Sequence, residues 1–294
     1  MKSYLSNIYS KFILKSEIRD NSTRSICQKD ILIGPAISRW QKNYIENGSG
    51  HIMLSGKFRG KPIKIYEAKN SDHSAFIEKI STNSQLLDLF PKVYFVRGRF
   101  VFADWIVGQE KPNSDYRLLL QCLSRIHRTK IDVPNSKVFD YWHDFLKPRF
   151  LRASELVGKQ NLALKAENLI SQYWDSQKPF LSHPDITFPN IVFSEEEIMF
   201  VVDNEFLSIG RLSWLDFFNT LNSLPKTKRK EATDYWKRDL ENEVSPNELF
   251  ITELAWKTRV IGSLLQIGNL VKLDANFEKI ESLINSGKDI QSQL

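Results

Sequence analysis

Between residues 42 and 104 the chain reads as short extended runs separated by polar, glycine-containing turns. "KNYIENGSGHIMLSGKFRGKPIKIYEAK" holds three such runs, broken at 47–50 and near Gly60. The period then changes. In "SAFIEKISTNSQLLDLF" Phe76, Ile77 and Ile80 fall at helical spacing, which predicts a helix that Pro91 ends. "KVYFVRGRFVFADWIVG" returns to strands, one on each side of Arg97-Gly98. From about residue 112 helical spacing dominates. Leu119, Cys122, Leu123 and Ile126 follow an i, i+3, i+4, i+7 pattern, and Leu162, Ala166, Leu169, Ile170 and Tyr173 repeat it. "NIVF", a charged "SEEE" and "IMFVVD" predict a small hairpin, and "ITELAWKTRVIGSLLQIG" a late helix. The last ten residues are polar and predict a frayed end.

This order predicts an α+β chain: a small antiparallel-sheet part over 1–105 and a larger helical part over 106–294. Residues 1–38 stand apart as a leader without an assigned element. The change falls at "DWIVG", residues 104–108, and a junction of this kind is a preferred place for a ligand.

Composition narrows the class. The 294 residues are 41% hydrophobic and 26% charged, as in globular proteins. The two cysteines, Cys27 and Cys122, give no disulfide framework and no structural zinc site. No apolar run is long enough for a transmembrane segment, and the interrupted N-terminus does not read as a signal peptide. The expectation is a cytoplasmic protein. A net charge of +6 favours an anionic partner, whether a phosphate compound or peripheral contact with an acidic membrane. The densest basic cluster, "KTKRK" at 226–230, lacks interleaved aromatics, so it reads as a solvated loop and no specific nucleic acid is expected.

"LSHPDITFPNIVF", residues 181–193, carries the candidate chemistry. Two prolines forbid a helix, and Asp and Asn are poor strand formers, so His183, Asp185 and Asn190 sit on a rigid loop. The hairpin that follows returns the chain, so Asp203 and Glu205 come back toward Asn190. Asn190, Asp203 and Glu205 then offer hard oxygen ligands suited to Mg²⁺, which takes one or two carboxylates plus substrate phosphates. Asp185 is left to orient a nucleophile.

His183-Pro184-Asp185-Ile186-Thr187-Phe188-Pro189-Asn190 resembles the H-x-D-x-x-x-x-N catalytic loop of kinase-fold enzymes. Val202-Asp203-Asn204-Glu205 resembles the metal loop of the aminoglycoside phosphotransferase and choline kinase family. Protein kinases carry D-F-G there and a basic residue two after the loop Asp, where this chain has Thr187. The resemblance spans roughly residues 45 to 220 and implies a two-lobed protein-kinase-like fold. It implies Asp185 as the catalytic Asp, Asn190 and Asp203 as metal ligands, and Glu205 as a possible further ligand. Lys64 resembles the strand lysine that holds the α- and β-phosphates. Glu78, 14 residues on, stands where its ion-pair partner belongs, with Glu67 and Lys69 as competitors for the two roles. "ADWIVG" resembles the adenine hinge, at Asp104 and Ile106. Gly48 and Gly50 stand where a phosphate loop belongs. His183 and Asp216 would support the catalytic loop. The family usually has Gly where Pro184 stands, and "NGSGH" is a loose phosphate loop.

The implied activity is transfer of the γ-phosphoryl group of ATP or GTP, with Mg²⁺, to a hydroxyl of a small molecule. Residues 206–294 hold 12 acidic and 12 basic side chains, so there is no acidic wall for a polycation. A sugar, a glycan or lipid-linked saccharide, or a metabolite alcohol therefore ranks before an antibiotic or choline. Trp214, Trp236 and Trp256 raise a cage for a quaternary ammonium, although Trp is more often core. The competing classes are a pseudokinase that binds nucleotide without transfer, and nucleotidyl transfer on the same fold.

Overall fold

The computed structural model describes residues 31–36, 53–106, 108, 115–131, 138–195 and 198–287, with the backbone alone at 33–36. Gly48 and Gly50, the first of the three extended runs and the end of the frayed tail lie outside these residues.

Five antiparallel strands form one sheet: β1 (Ile31–Ala36), β2 (Met53–Phe58), β3 (Lys61–Glu67), β4 (Val93–Arg97) and β5 (Phe100–Asp104), in the order β1-β2-β3-β5-β4. Phe58 pairs with Lys61, which leaves Arg59 and Gly60 as a two-residue turn. Both have positive φ, 49° and 81°, as the tightest hairpin turns require. β1 falls within the segment read from sequence as a leader. It is an edge strand with a register shift between Ile33 and Ala36, and such an edge tolerates Pro35. Gly56 lets it pair closely, since a Cβ there would lie 2.8 Å from the Leu32 carbonyl oxygen.

Alternation along β3 divides its side chains. Ile63 and Ile65 join Leu54, Phe58, Phe95, Phe100 and Phe102 in an apolar core, while Lys64 and Tyr66 point to the other face. Helix α1 (Ser71–Ser81) is capped by Asn70, whose side chain accepts from the His73 N–H at 2.8 Å. It buries Phe76, Ile77 and Ile80 as the spacing predicts, but it stops at Ser81, well short of Pro91. Polar Thr82, Asn83 and Ser84 end it. The Asn83 side chain accepts from the Gln85 N–H at 2.9 Å and turns the chain instead.

The remaining elements are mostly helical. They comprise α2 (Tyr116–Arg128), a π-helical turn (Tyr141–Leu146), α3 (Lys147–Leu156), α4 (Gln160–Ser176), α5 (Ser213–Ser223), α6 (Lys226–Arg238), α7 (Pro246–Gln266) and α8 (Leu270–Ser286). Short strands β6 (Phe180–Ser182) and β9 (Ser208–Gly210) pair with each other, and β7 (Ile191–Phe193) pairs with β8 (Met199–Val201) as the predicted hairpin. Trp142, Phe150, Ile170, Trp174, Leu254 and Phe277 anchor the helical core. On α2 the four spaced apolar residues are all buried. On α4 the fully buried stripe is Ala163, Ala166, Ile170 and Trp174, with Leu162, Leu169 and Tyr173 flanking it. Two alanines let neighbouring helices approach, so the larger residues fill the sides of the contact. "KTKRK" is the first turn of α6 rather than a loop, and Arg229 there donates to the Asn222 carbonyl at 2.9 Å.

The chain divides into two compact units. One holds the five-stranded sheet, α1 and residues 191–205; the other holds the helices and residues 139–190 and 206–287. No described helix is long and apolar enough to cross a membrane.

Candidate active site

In the sheet unit the chemistry gathers on the Lys64 face of β3. Lys64 pairs with the Asp203 carboxylate and lies 3.8 Å from Glu205. Burial lowers the pKa of the ammonium, but Glu205 and Asp203 raise it by more, so the net shift is upward. Asp203 follows β8 at φ 62°, a left-handed conformation that Asp adopts at less cost than most residues. That turn leads into a 3₁₀ segment (Asn204–Phe206) that buries Glu205. Tyr66, 5.2 Å from the Lys64 ammonium by its ring centre, is buried too. Burial, with Glu205 and Asp203 adding, pushes its hydroxyl well above the usual tyrosine range.

A cavity of about 210 Å³ opens on this face, lined by Lys64, Tyr66, Ala103, Asp104, Trp105, Ile106, Val192, Val202 and Asp203 among others. Asp104 is held at both ends: its N–H donates to the Lys92 carbonyl at 2.9 Å, and its carboxylate accepts from the Tyr94 hydroxyl. Gly108 continues this segment against the hairpin. A Cβ at that position would overlap the Phe193 carbonyl, so only glycine fits.

Glu78 is not brought to Lys64, whose partners are Asp203 and Glu205. At about 100° per residue, Glu78 falls beside the stripe of Phe76, Ile77 and Ile80 rather than within it. Glu67 is engaged elsewhere, with Arg99 at 2.6 Å.

In the helical unit the loop after β6 holds Asp185 by three side chains. Asn190 donates to the Asp185 carboxylate at 2.9 Å and to its carbonyl at 2.8 Å. Asn219 donates to the same carboxylate at 3.2 Å and to the Pro184 carbonyl. Arg259 reaches it at 3.5 Å. The Asn190 amide nitrogen is spent on the loop, which leaves its Oδ1 as the atom able to take a cation. Pro184 leaves the loop with one fewer N–H, and its carbonyl is anchored instead.

Beneath the loop, His183 is fully buried. Asp216, 2% exposed on α5, accepts from Ser182 at 2.7 Å and lies 3.0 Å from the His127 ring nitrogen. Asp216, Asn219 and Thr220 share one face of α5, and Thr220 donates to the Ile186 carbonyl at 2.8 Å. Asp216→Ala is expected to cost about 2–4 kcal/mol, because it strips buried donors of a charged acceptor. Urea unfolding measures this, and a loss below about 1 kcal/mol would contradict the bracing role.

Sequence reading passed over Asn219, Arg259 and Tyr141. For Asn219 a signal existed: polar residues at i, i+3 and i+4 on an apolar helix mark a buried polar face. For Arg259 there was none, since a single arginine on an apolar helix reads as a surface residue. Trp214 and Trp236 are core residues, 2% and 0% exposed, so they form no cage.

Burial, opposed by Arg259, raises the Tyr141 hydroxyl to about 12. Lys64, Tyr66 and Tyr141 thus keep their protons to higher pH in the folded state than when unfolded. Their contribution to stability is complete below about pH 10, the unfolded value, and is lost as pH rises through the folded values. The thermal midpoint should fall above about pH 10, and Tyr141→Phe should flatten part of that fall. A wild-type midpoint unchanged to pH 12 would contradict these shifts.

Solved structures supply the comparison. The choline kinase LicA from Streptococcus pneumoniae matches with a TM-score of 0.58 at 12% identity, over 95% of this chain and 99% of that one. An aminoglycoside phosphotransferase, APH(4)-Ia, solved with AMP-PNP and hygromycin B, matches with a TM-score of 0.55 at 13% identity, over 93% and 98%. An ethanolamine kinase from Plasmodium vivax matches with a TM-score of 0.54 at 13% identity, over 78% and 80%. No family model matches the chain, and no curated protein resembles it in sequence. The chain has the two-lobed protein-kinase-like fold of these small-molecule kinases.

Proposed function

We propose that the chain is a Mg²⁺-dependent phosphotransferase that moves the γ-phosphoryl group of ATP or GTP to a hydroxyl of a small molecule. The observation that carries this reading is the state of Asp185. Its side chain is 35% exposed, yet it is held in place by Asn190 and Asn219. A carboxylate both presented and fixed suits a group that must orient a hydroxyl and accept its proton. Structural neighbours with this fold are named as kinases of choline, ethanolamine and aminoglycosides, and one was solved with a nucleotide analogue.

Each residue has a role in this reading. Lys64 steadies the α- and β-phosphates. Asp104 and Ile106 offer backbone groups to the base, beside a cavity whose about 210 Å³ suits a ring more than a whole nucleotide. Asn190 and Asp203, with Glu205, are the metal ligands. Among the described residues no three His, Cys, Asp or Glu side chains form a complete metal site. Mg²⁺ does not need one, because it takes one or two protein carboxylates and completes its shell with phosphate and water. When bound, the ion neutralises charge on the phosphate oxygens. Asp185 orients the acceptor hydroxyl and takes its proton. His183 and Asp216 keep the loop in shape.

Lys64, Asp203 and Glu205 form a preassembled charge cluster, in which the ammonium holds the two carboxylates in place. The acceptor is a neutral or anionic hydroxyl compound of the sugar or metabolite-alcohol kind. Incubation of the protein with ATP, Mg²⁺ and a small-molecule extract, followed by mass spectrometry, tests the reaction class. A product heavier by one phosphate supports phosphotransfer. A product heavier by a nucleotide would replace it with nucleotidyl transfer, and an unchanged extract beside bound nucleotide would favour a pseudokinase.

A further inference from the structure

Arg259 lies on α7, and its guanidinium is turned toward the loop carboxylate. Among the described residues its hydrogen-bond partners are the Tyr141 hydroxyl and, at 3.5 Å, Asp185. It also lies over the rings of Tyr141 and Trp256, 5.9 and 6.0 Å from their centres. Burial disfavours the charge, but Tyr141 and Asp185 more than offset that, so Arg259 stays cationic. At neutral pH Tyr141 helps by accepting a hydrogen bond and not by a negative charge, because its hydroxyl keeps its proton to about pH 12. Asp185 is shared with Asn190 and Asn219. A guanidinium has five N–H donors in a planar fork, and the contacts here use only part of them.

A second arginine joins the same aromatic cluster. Arg149 stacks over Phe145 at 4.2 Å, and Phe145 stacks on Tyr141 at 5.5 Å. Two cations therefore flank one aromatic pair. Gly262, one turn after Arg259, faces the Arg149 stem: a Cβ there would lie 3.5 Å from the Arg149 Cβ, an ordinary van der Waals contact. Arg259 is thus a partly buried cation with unused donors beside the group that handles the acceptor, and Arg149 is linked to it through the Phe145–Tyr141 stack.

We infer that Arg259, assisted by Arg149, binds a carboxylate or phosphate group of the acceptor, next to the hydroxyl that Asp185 activates. The inference rests on Asp185 being the acceptor-activating group. A forked guanidinium matches an oxyanion with two parallel hydrogen bonds. A cationic acceptor placed at Asp185 would meet a fixed like charge, so Arg259 also acts against such compounds. The acceptor class is an anionic hydroxyl compound.

Inorganic phosphate is the probe, titrated into the whole protein by calorimetry with AMP-PNP and Mg²⁺ present to fill the nucleotide's own phosphate positions. Wild type is expected to bind phosphate saturably in the millimolar range. Arg259→Gln should weaken it at least about tenfold, the effect of losing a charge-assisted pair. Arg259→Lys should fall between, because lysine keeps the charge and loses the fork. Tetramethylammonium should give no saturable binding. Absence of saturable phosphate binding in wild type, or equal affinity in wild type and a folded Arg259→Gln, overturns the inference. If Arg259→Gln does not fold, by far-UV circular dichroism, Arg259→Lys and Arg149→Gln carry the test, and affinities equal to wild type in both overturn it. Titration of AMP-PNP alone separates the two claims: phosphate binding lost in Arg259→Gln, without nucleotide binding in wild type, would sink the kinase reading and leave the oxyanion site standing.

Discussion

Asp185→Asn is expected to lower phosphoryl transfer by about 10²–10⁴-fold and to leave nucleotide affinity within about twofold of wild type. The substitution is nearly isosteric. Asn190 and Asn219 lose the charge they donate to, but the loop keeps its other ties: Asn190 to the Asp185 carbonyl, Asn219 to the Pro184 carbonyl and Thr220 to the Ile186 carbonyl. What disappears is the capacity to take a proton from the acceptor hydroxyl. The nucleotide-facing residues assigned above, Lys64 and Asp203, are untouched by the change. A variant that turns over within about tenfold of wild type would remove Asp185 from the chemistry. A variant that also loses nucleotide affinity would show that the loop, rather than the carboxylate, had been damaged.

Asp203→Asn should be as damaging by a different route. Asparagine tolerates the left-handed φ of 62° nearly as well as aspartate, so the turn after β8 survives. The charge does not. Lys64 can still donate to the asparagine Oδ1, but Glu205, at 3.8 Å, is then its only carboxylate partner among the described residues, and the proposed metal site would lose a carboxylate. Nucleotide affinity in wild type should rise on adding Mg²⁺, and in the variant that gain should vanish. Transfer should drop by about 10²–10³-fold, the scale on which removing one preorganised electrostatic partner acts. Calorimetric titration of AMP-PNP with and without Mg²⁺ reads the first effect. An undiminished Mg²⁺ response would assign the metal to other residues.

The fold was legible where local chemistry agreed with tertiary packing. The period-2 runs at β2 to β5 and the turn at Arg59-Gly60 follow from short-range rules. The buried stripe of α2 does as well. Where the reading slipped, a second local feature competed with the apolar pattern. α1 ends nine residues before Phe90 because its local polar turn outcompetes the apolar residues that follow. β1 went unassigned because an edge strand containing Pro35 carries a weak alternation. The loop from His183 to Asn190 stood out in sequence because two prolines and the polar side chains of His183, Asp185 and Asn190 are costly to place between apolar runs without a purpose. Glu78 shows the limit of that reasoning. The resemblance to kinase-fold enzymes put it beside Lys64, but the helix turns it off the buried stripe, and Asp203 and Glu205 take the place instead. Arg259 lies 74 residues from Asp185, and nothing local to α7 signals the meeting.

The central claim is that Asp185 and Asp203 serve one phosphoryl-transfer reaction. Slow hydrolysis of ATP with Mg²⁺ and no acceptor, in wild type, Asp185→Asn and Asp203→Asn, tests it most directly, because water replaces the unidentified hydroxyl. The account predicts turnover in wild type that is lost in both variants. Turnover that persists equally in all three would contradict it.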